Sequence, residues 1–346
     1  MKLLIADLVY PYGHLNLNNH LLDILSGIDY IDSLKVLNYK NYYSKNNNGI
    51  KLYKLHYLLY SKNVILRYFT PFINALLVSF RCLFIKYDKV IFFTFDTLSF
   101  YIVTLFIKKP IYLFHHNNTD QLNDPKKNFL FRLYSNRVNH IVFDGYIKDY
   151  LLSKNVHDNL IHVLPHPLPI HSFKTSCILG DDLRKFIGLG HENDSTLISD
   201  IVNYELHNHV LEKNNIKLVL RVKYNFDFDV PKSITIISDY LSREDYEQLY
   251  HSAFGVLVLF KESYRYRYSG TIVDALDLKK VVVGRDIPVV RSFSKLYPKS
   301  CFVFYTIDDF FNKIISCSKV PDYEHNIFQL NHSDYKIRRK FYEILY

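Results

Sequence analysis

The chain of 346 residues has no tryptophan, a single methionine at position 1 and only four cysteines. Cys82, Cys177, Cys301 and Cys317 form no C-x-x-C pair, and three of them sit in apolar runs. That excludes a disulfide scaffold and a cysteine zinc site, and fits buried free thiols of a reducing compartment. Glycine and proline, at 10 and 11 residues, are too scarce for a fibrous or linker-like chain. The most apolar stretch, 69–85, is interrupted by Pro71 and Arg81 and falls short of the ~20 residues of a spanning helix. The start, Met1-Lys2-Leu3-Leu4-Ile5-Ala6-Asp7, is too short in its apolar part to read as a signal peptide. One sign of charge is also thin: the first 170 residues contain no glutamate. They hold 19 Lys and Arg against 11 Asp, net +8, whereas the remainder carries only +1 of the total +9. A basic first half suits an anionic partner, such as a membrane surface, a phosphate-bearing lipid or nucleic acid, or else is a solvated basic face.

What is present excludes disorder: 49% of residues are hydrophobic and 16% aromatic. The 30 tyrosines accompany heavy use of Asn, Lys and Ile, which reads as a coding bias toward AT rather than as function. Most aromatics lie inside apolar runs instead of alternating with basic residues, which argues against a nucleic-acid surface.

Short apolar runs alternate with longer periodic ones. Strands are expected at 2–9, 34–38, 90–95, 110–114, 140–143 and 160–164, with helices at 15–25, 67–85, 97–107, 129–136 and 147–154. Residues 41–48 read as a polar loop. Near-continuous strands such as Val90-Ile91-Phe92-Phe93 are expected when helices cover both faces of a parallel sheet. Pro165-His166-Pro167-Leu168-Pro169 breaks the pattern, and a domain boundary is expected there, separating residues 1–168 from 169–330. The second half repeats the theme, with strands at 185–189, 217–222, 233–237, 255–260, 281–284 and 301–305 and helices at 195–212, 242–253, 270–278 and 307–316. Residues 331–346 form a basic amphipathic helix. Two doubly wound domains bind ligands at the carboxyl ends of their strands.

The most informative segment runs from Lys261 to Leu276, between a strand and a helix. Ser269 is a suitable N-cap and Gly270 lets backbone approach a ligand. A helix start offers free N–H groups and partial positive charge to a diphosphate, here at Ser269, Gly270 and Thr271. Arg265 and Arg267 flank Tyr266 and share a side if the segment is extended, ready to neutralise a departing diphosphate. An ordinary strand-to-helix turn with solvated arginines has the same composition.

With Lys279-Lys280-Val281-Val282-Val283-Gly284-Arg285-Asp286-Ile287-Pro288, this segment resembles the donor site of GT-B glycosyltransferases, in particular the group 1, family 4-like enzymes of bacterial surface polysaccharide synthesis. The resemblance implies an α/β fold of two Rossmann-like doubly wound domains facing each other across a cleft. It places Asp274 where the family's second glutamate holds the ribose hydroxyls. The family's first glutamate corresponds to Tyr266 here, and the nearest carboxylate is Glu262. The turn Gly188-Leu189-Gly190 corresponds to one that faces donor phosphates. The family's basic residues are replaced there by Glu192, Asn193 and Asp194, so Arg221 and Lys223 are the expected substitutes. Ser238-Asp239-Tyr240-Leu241 resembles the nucleobase grip. The loop containing Gly13 resembles one near donor and acceptor. His115-His116 resembles the sugar-facing histidine site, and alternation along a strand lets only one of the two face a ligand, His116 being preferred. Asp96, ending its strand, is a lesser candidate.

The resemblance implies transfer of a sugar from a nucleotide-sugar donor, as substrate and not as cofactor, to a glycan or lipid-diphosphate-linked acceptor. Retention of configuration and independence of metal are expected, with Arg221, Lys223, Arg265 and Arg267 meeting the developing charge and His116 near the sugar. Peripheral contact with an anionic membrane through Arg67, Arg81, Lys86 and Lys89, at the cytoplasmic face, is expected too. Asp227-Phe228-Asp229 is a D-x-D pattern of the kind that holds metal in another glycosyltransferase architecture, but a loop reading suits it better. A sugar-nucleotide epimerase of the same fold, a catalytically silent scaffold and a polyanion binder remain as alternatives.

Overall fold

The structure is a computed structural model; it describes residues 1–9, 14–39, 43, 50–55, 64–116, 118–169, 183–223, 229–239 and 241–346. The expected loop at Tyr10–Gly13 with Gly13, most of the loop 41–48, Asn117, Cys177, Asp227, Phe228 and Tyr240 lie outside the described residues. The chain divides into two compact units. Unit 1 comprises Met1–Pro167, Tyr266–Tyr268 and His332–Tyr346, and unit 2 comprises Leu168–Arg265 and Ser269–Asn331.

Unit 1 is a seven-stranded sheet of β1 (Lys2–Asp7), β2 (Ser33–Tyr39), β3 (Ile50–Leu55), β4 (Lys89–Thr94), β5 (Ile111–Phe114), β6 (Asn139–Val142) and β7 (Ile161–Val163). Its order is β3-β2-β1-β4-β5-β6-β7, with every neighbouring pair parallel. Strand order therefore reverses between β1 and β4, the kind of switch point at whose carboxyl end such sheets bind ligands. The central strands are buried except at their ends; Val90 to Phe93 are all wholly covered, as their unbroken apolar run implies. The helices are α1 (Leu15–Ser26), α2 (Val64–Leu83), α3 (Phe100–Phe106), α4 (Pro125–Tyr134) and α5 (Gly145–Ser153). Right-handed crossovers place α2, α3, α4 and α5 on one face and α1 on the other. The last helix of the chain, at Asp334–Leu345, packs against α1 and belongs to unit 1, so the tail is part of this unit and not a separate element.

Unit 2 repeats the plan with six parallel strands: β8 (Arg184–Gly188), β9 (Ile216–Arg221), β10 (Ile234–Ile237), β11 (Gly255–Val258), β12 (Val281–Arg285) and β13 (Cys301–Phe304). The order β10-β9-β8-β11-β12-β13 reverses between β8 and β11. Its helices are α6 (Ser195–Asn208), α7 (Val210–Lys213), α8 (Arg243–Ser252), α9 (Gly270–Asp277), α10 (Pro288–Leu296), α11 (Ile307–Ser316) and α12 (Asp322–Asn331), and the tail helix is then α13. The expected single helix over 195–212 breaks at His209, which adopts a left-handed φ of 50°. Buried Glu205 explains the break, because its carboxylate accepts from the backbone amides of Leu211 and Glu212 and from the Ser233 hydroxyl. Those bonds start a new short helix instead of continuing the old one.

The two-domain α/β class is therefore as expected from the sequence. Three elements were not: β3, α10 and α12.

Candidate functional site

In unit 2 the turn after β8 begins at Gly188. A Cβ on Gly190 would stand 2.4 Å from a ring carbon of Phe260, so only glycine allows the turn to lie this close to the strand end. Asn193 is buried and donates from one side-chain amide to the carbonyls of Gly188 (2.8 Å) and Arg221 (3.0 Å). It ties the ends of β8 and β9 together. Asp194 caps α6 through the Thr196 amide and pairs with Arg285 at 2.8 Å. Sequence reasoning gave Arg285 no role; its place at the end of β12, among carboxylates of another loop, has no local sequence signal.

α9 begins differently. Ser269 is buried and its hydroxyl accepts from the Ile272 amide at 3.4 Å. Nothing lies within 4 Å of the position where a Cβ on Gly270 would stand. The first turn of α9 has no acidic residue. The start of α9 is thus uncrowded beside Gly270, and the helix dipole behind its leading amides suits an anion. One turn further, half-buried Asp274 acts electrostatically on Tyr246 and Tyr250 of α8. Burial first, and then Asp274, push the Tyr246 hydroxyl well above the ordinary phenol value, with Arg221 opposing the shift. Tyr250, wholly enclosed, is raised for the same two reasons and by Tyr246 beside it. Thr271, Asp274, Tyr246, Tyr250 and Arg221 therefore share one neighbourhood at the carboxyl edge of the sheet.

Lys223, Arg265 and Arg267 are each paired with an acid. Lys223 pairs with Glu192 at 3.2 Å. The segment ahead of Ser269 is not extended: Glu262–Tyr264 forms a single 3-10 turn, and Arg265 folds back onto Glu262. Arg265 and Arg267 also part company. Tyr266–Tyr268 belong to unit 1, where Arg267 pairs with Asp120, Tyr266 stacks on Tyr150 with centroids 3.5 Å apart, and the Tyr266 amide donates to Asp120 at 3.0 Å. The Thr119 hydroxyl donates to the Tyr266 carbonyl and the Tyr146 hydroxyl to that of Arg267. The expectation that both arginines share a side is thereby corrected, because Arg265 has a helical backbone and the segment is not the extended one that a shared side requires.

In unit 1 the two histidines after β5 diverge as alternation requires. His115 faces the core and shares a 2.8 Å hydrogen bond with His140. His116 points the other way and stacks on His14 at the start of α1, with ring centroids 4.6 Å apart. It is 7% exposed, and its Nε2 has no hydrogen-bond partner among the described residues. Burial, and then the neighbouring His14 and His166, hold its pKa well below the usual value, so the ring is neutral. A hydrogen bond to the Phe93 backbone occupies the other nitrogen. That fixes Nδ1 as the donor and leaves Nε2 a lone-pair acceptor, suited to a hydroxyl of a ligand.

Asp7, which ends β1 nearby in the sheet, went unnoticed in the sequence. It accepts from the Tyr43 hydroxyl at 2.5 Å and from the Thr94 hydroxyl at 2.7 Å, and burial raises its pKa to about 6 despite those bonds. A lone acid at the carboxyl end of an apolar strand was its available signal. Asp96, by contrast, accepts from the amides of Leu98 and Ser99 and serves as a turn cap. No group of three His, Cys, Asp or Glu side chains placed to hold a metal ion occurs among the described residues.

No family model matches the sequence, and no curated protein matches it. Solved structures do. The lipopolysaccharide outer core galactosyltransferase WaaB in its apo form aligns with a TM-score of 0.66 at 14% identity, over 100% of this chain and 99% of that one. Anabaena Alr3699/HepE in complex with UDP and glucose gives 0.64 at 12% identity, over 100% and 99%. A glycosyltransferase from Rickettsia africae gives 0.61 at 12% identity, over 99% and 97%. The chain has the two-domain GT-B fold of these glycosyltransferases.

Proposed function

We propose that the protein is a glycosyltransferase that takes a sugar from a nucleoside diphosphate sugar. The observation that carries this reading is the start of α9, capped by Ser269 and open at Gly270, one turn from Asp274 and its tyrosine and arginine neighbours. The free amides suit the diphosphate and Asp274 suits the vicinal ribose hydroxyls. Uridine is the first nucleoside to test, since the HepE structure of the same fold holds UDP and glucose. In the transfer the bond from the anomeric carbon to the diphosphate oxygen breaks and its electron pair leaves with the diphosphate. The acceptor hydroxyl bonds to the same carbon and its proton passes to the departing phosphate oxygen. Arg221 and the α9 amides stabilise that leaving charge, and His116 accepts a hydroxyl of the sugar at Nε2. We propose retention of configuration and metal independence on this basis. Gly188 and Gly190 keep backbone close to the phosphates. The acceptor is a glycan or a lipid-diphosphate-linked sugar of surface polysaccharide assembly, which the basic first half and the WaaB likeness support.

A second reading has its own support. Lys223, Arg265 and Arg267 each face an acid, respectively Glu192, Glu262 and Asp120, which leaves less charge for a departing diphosphate. That favours a scaffold that binds nucleotide without transfer. The test is a thermal-shift screen of UDP, GDP, CMP and TDP and their sugars, with and without Mg²⁺, followed by assay of nucleotide release with acceptor present. At a hundredfold excess over Kd a binder stabilises by about 2.7 kcal/mol. A metal-independent shift with one nucleotide, together with acceptor-dependent release, supports the transferase. A shift without release supports the scaffold, and no shift with any nucleotide overturns both.

A further inference from the structure

α2 is built inside out. Its outward stripe is Phe69, Ile73, Leu76, Leu77, Phe80 and Leu83, continued by Phe84, and each of these is at least 40% exposed. The spacing of four, three, one, three, three and one residues keeps all seven on one face of a helix. The inward face is mostly small or polar: Thr70, Asn74, Ala75, Ser79 and Cys82 are buried there, joined by Val78. A helix that only covers a sheet presents the reverse. The face continues sideways, because α3 packs against both α2 and α4, and Leu105, Phe106, Phe129 and Leu133 are exposed on those helices.

Its charge says what covers it. No Asp or Glu occurs in 64–87, 97–119 or 125–143. Arg81, Lys86, Lys108, Lys109, Lys126 and Arg132 are all exposed on or beside the three helices. Lys86 and Lys108-Lys109 follow α2 and α3 immediately, so they gather where both helices end, at the amino edge of the sheet. Lys89 is not among them: its ammonium is held by the Leu345 carbonyl of α13 and by the Tyr112 hydroxyl. No helix is long and apolar enough to cross a membrane among the described residues.

We propose that the α2–α3–α4 face of unit 1 docks on an anionic lipid bilayer, with Phe69, Phe80, Phe84 and Leu83 entering the headgroup boundary and the basic residues meeting lipid phosphates. The stripe from 69 to 84 runs for about 22 Å, lying in the interface plane as an amphipathic anchor does. The apolar residues supply depth and the cations supply the preference for negative charge, each cation near such a surface being worth about fivefold in binding. The inference goes beyond nucleotide chemistry and is independent of it, since the face lies wholly on unit 1.

The test is co-sedimentation of the full chain with vesicles of phosphatidylcholine alone and of phosphatidylcholine mixed with phosphatidylglycerol, at low and high salt. Light scattering of the lipid-free protein runs alongside. The expected result is binding to the anionic vesicles only, weakened by salt, and reduced at least tenfold in Phe80→Glu/Phe84→Glu and in Arg81→Glu/Lys108→Glu. All four positions are exposed, so both variants keep the melting temperature of the parent, and the nucleotide-induced thermal shift reports unit 2 separately. Absence of binding to anionic vesicles overturns the proposal. So does binding that survives both variants, or a lipid-indifferent dimer that Phe80→Glu/Phe84→Glu converts to monomer, which would assign the face to a second copy of this chain.

Discussion

The imidazole of His14 lies over that of His116 with centroids 4.6 Å apart and planes 24° from parallel. The two rings come from different segments, one at the start of α1 and one after β5, and meet where the strand order of unit 1 reverses. His14 is held neutral by burial, and His116 by burial and then by His14 itself. A stacked pair of neutral rings presents Nε2 of His116 as an acceptor without the repulsion that two charged rings would bring. His116→Ala should therefore lower kcat/KM by about 10- to 100-fold, the loss of one or two hydrogen bonds to substrate. Nucleotide affinity, a property of unit 2, should stay within twofold. Transfer kinetics beside calorimetric titration of UDP check both, and an equal loss of UDP affinity would remove His116 from the sugar-contacting role.

Asp274 is tested by its own chemistry. A carboxylate that accepts from two vicinal hydroxyls contributes charge-assisted bonds of about 1.5–3 kcal/mol. Asp274→Asn should weaken UDP binding by about 10-fold or more, and 2′,3′-dideoxyuridine diphosphate should bind the parent and the variant nearly alike. Isothermal titration with the two ligands on the two proteins gives the cycle. Equal weakening for both ligands would show that Asp274 supports Tyr246 and Tyr250 and does not read the ribose.

Most of the sheets were legible because buried parallel strands are unbroken apolar runs, as at Val90–Phe93 and Val281–Val283. β3 was not, because Ile50-Lys51-Leu52-Tyr53-Lys54-Leu55 carries two lysines and borders a polar stretch; its pairing with β2 is a tertiary fact. α10 was not expected, although proline at its first helical position is a start signal. In the candidate site Ser269 announced its cap by residue type and position. The partners of Lys223 and Arg267 did not announce themselves, because Glu192 and Asp120 stand 31 and 147 residues away along the chain. Asp7 was hidden for the same reason, its partners being Tyr43 and Thr94.

Unit 1 should lose stability in mild acid. His140 is held down to about 4 and His166 to about 3 by loss of hydration, and His115 and His116 are also lowered. A histidine depressed in the folded state binds its proton only on unfolding once pH falls below about 6.5. The unfolded chain then holds more protons, and His140 and His166 each cost about 2 kcal/mol of stability at pH 5. Asp7 works the opposite way, because its folded value of about 6 lies above the unfolded 3.8, so it favours the fold as pH drops through that window. Four histidines outweigh one carboxyl. Urea unfolding from pH 7.5 to 5 should show a midpoint that falls steadily below pH 6.5, with the slope reduced in His140→Gln. A flat profile would mean that these rings are hydrated in solution.

Gly190 separates a packing role from a conformational one. A Cβ there would lie 2.4 Å from a ring carbon of Phe260 and 2.8 Å from the Asn193 side-chain oxygen, whereas at Gly270 it would meet nothing. Phe260 is buried and Asn193 is tied to the carbonyls of β8 and β9, so neither yields without disturbing the strand ends. Gly190→Ala should destabilise by about 1–3 kcal/mol, the usual cost of an extra carbon in a full site. Gly190→Ala with Phe260→Leu should recover part of that loss, because the smaller side chain removes the colliding ring. Gly270→Ala should leave the melting temperature nearly unchanged and weaken UDP, since the added methyl group occupies open space at the start of α9. If Gly270→Ala binds UDP as the parent does, those amides do not hold the diphosphate and the donor site lies elsewhere on unit 2.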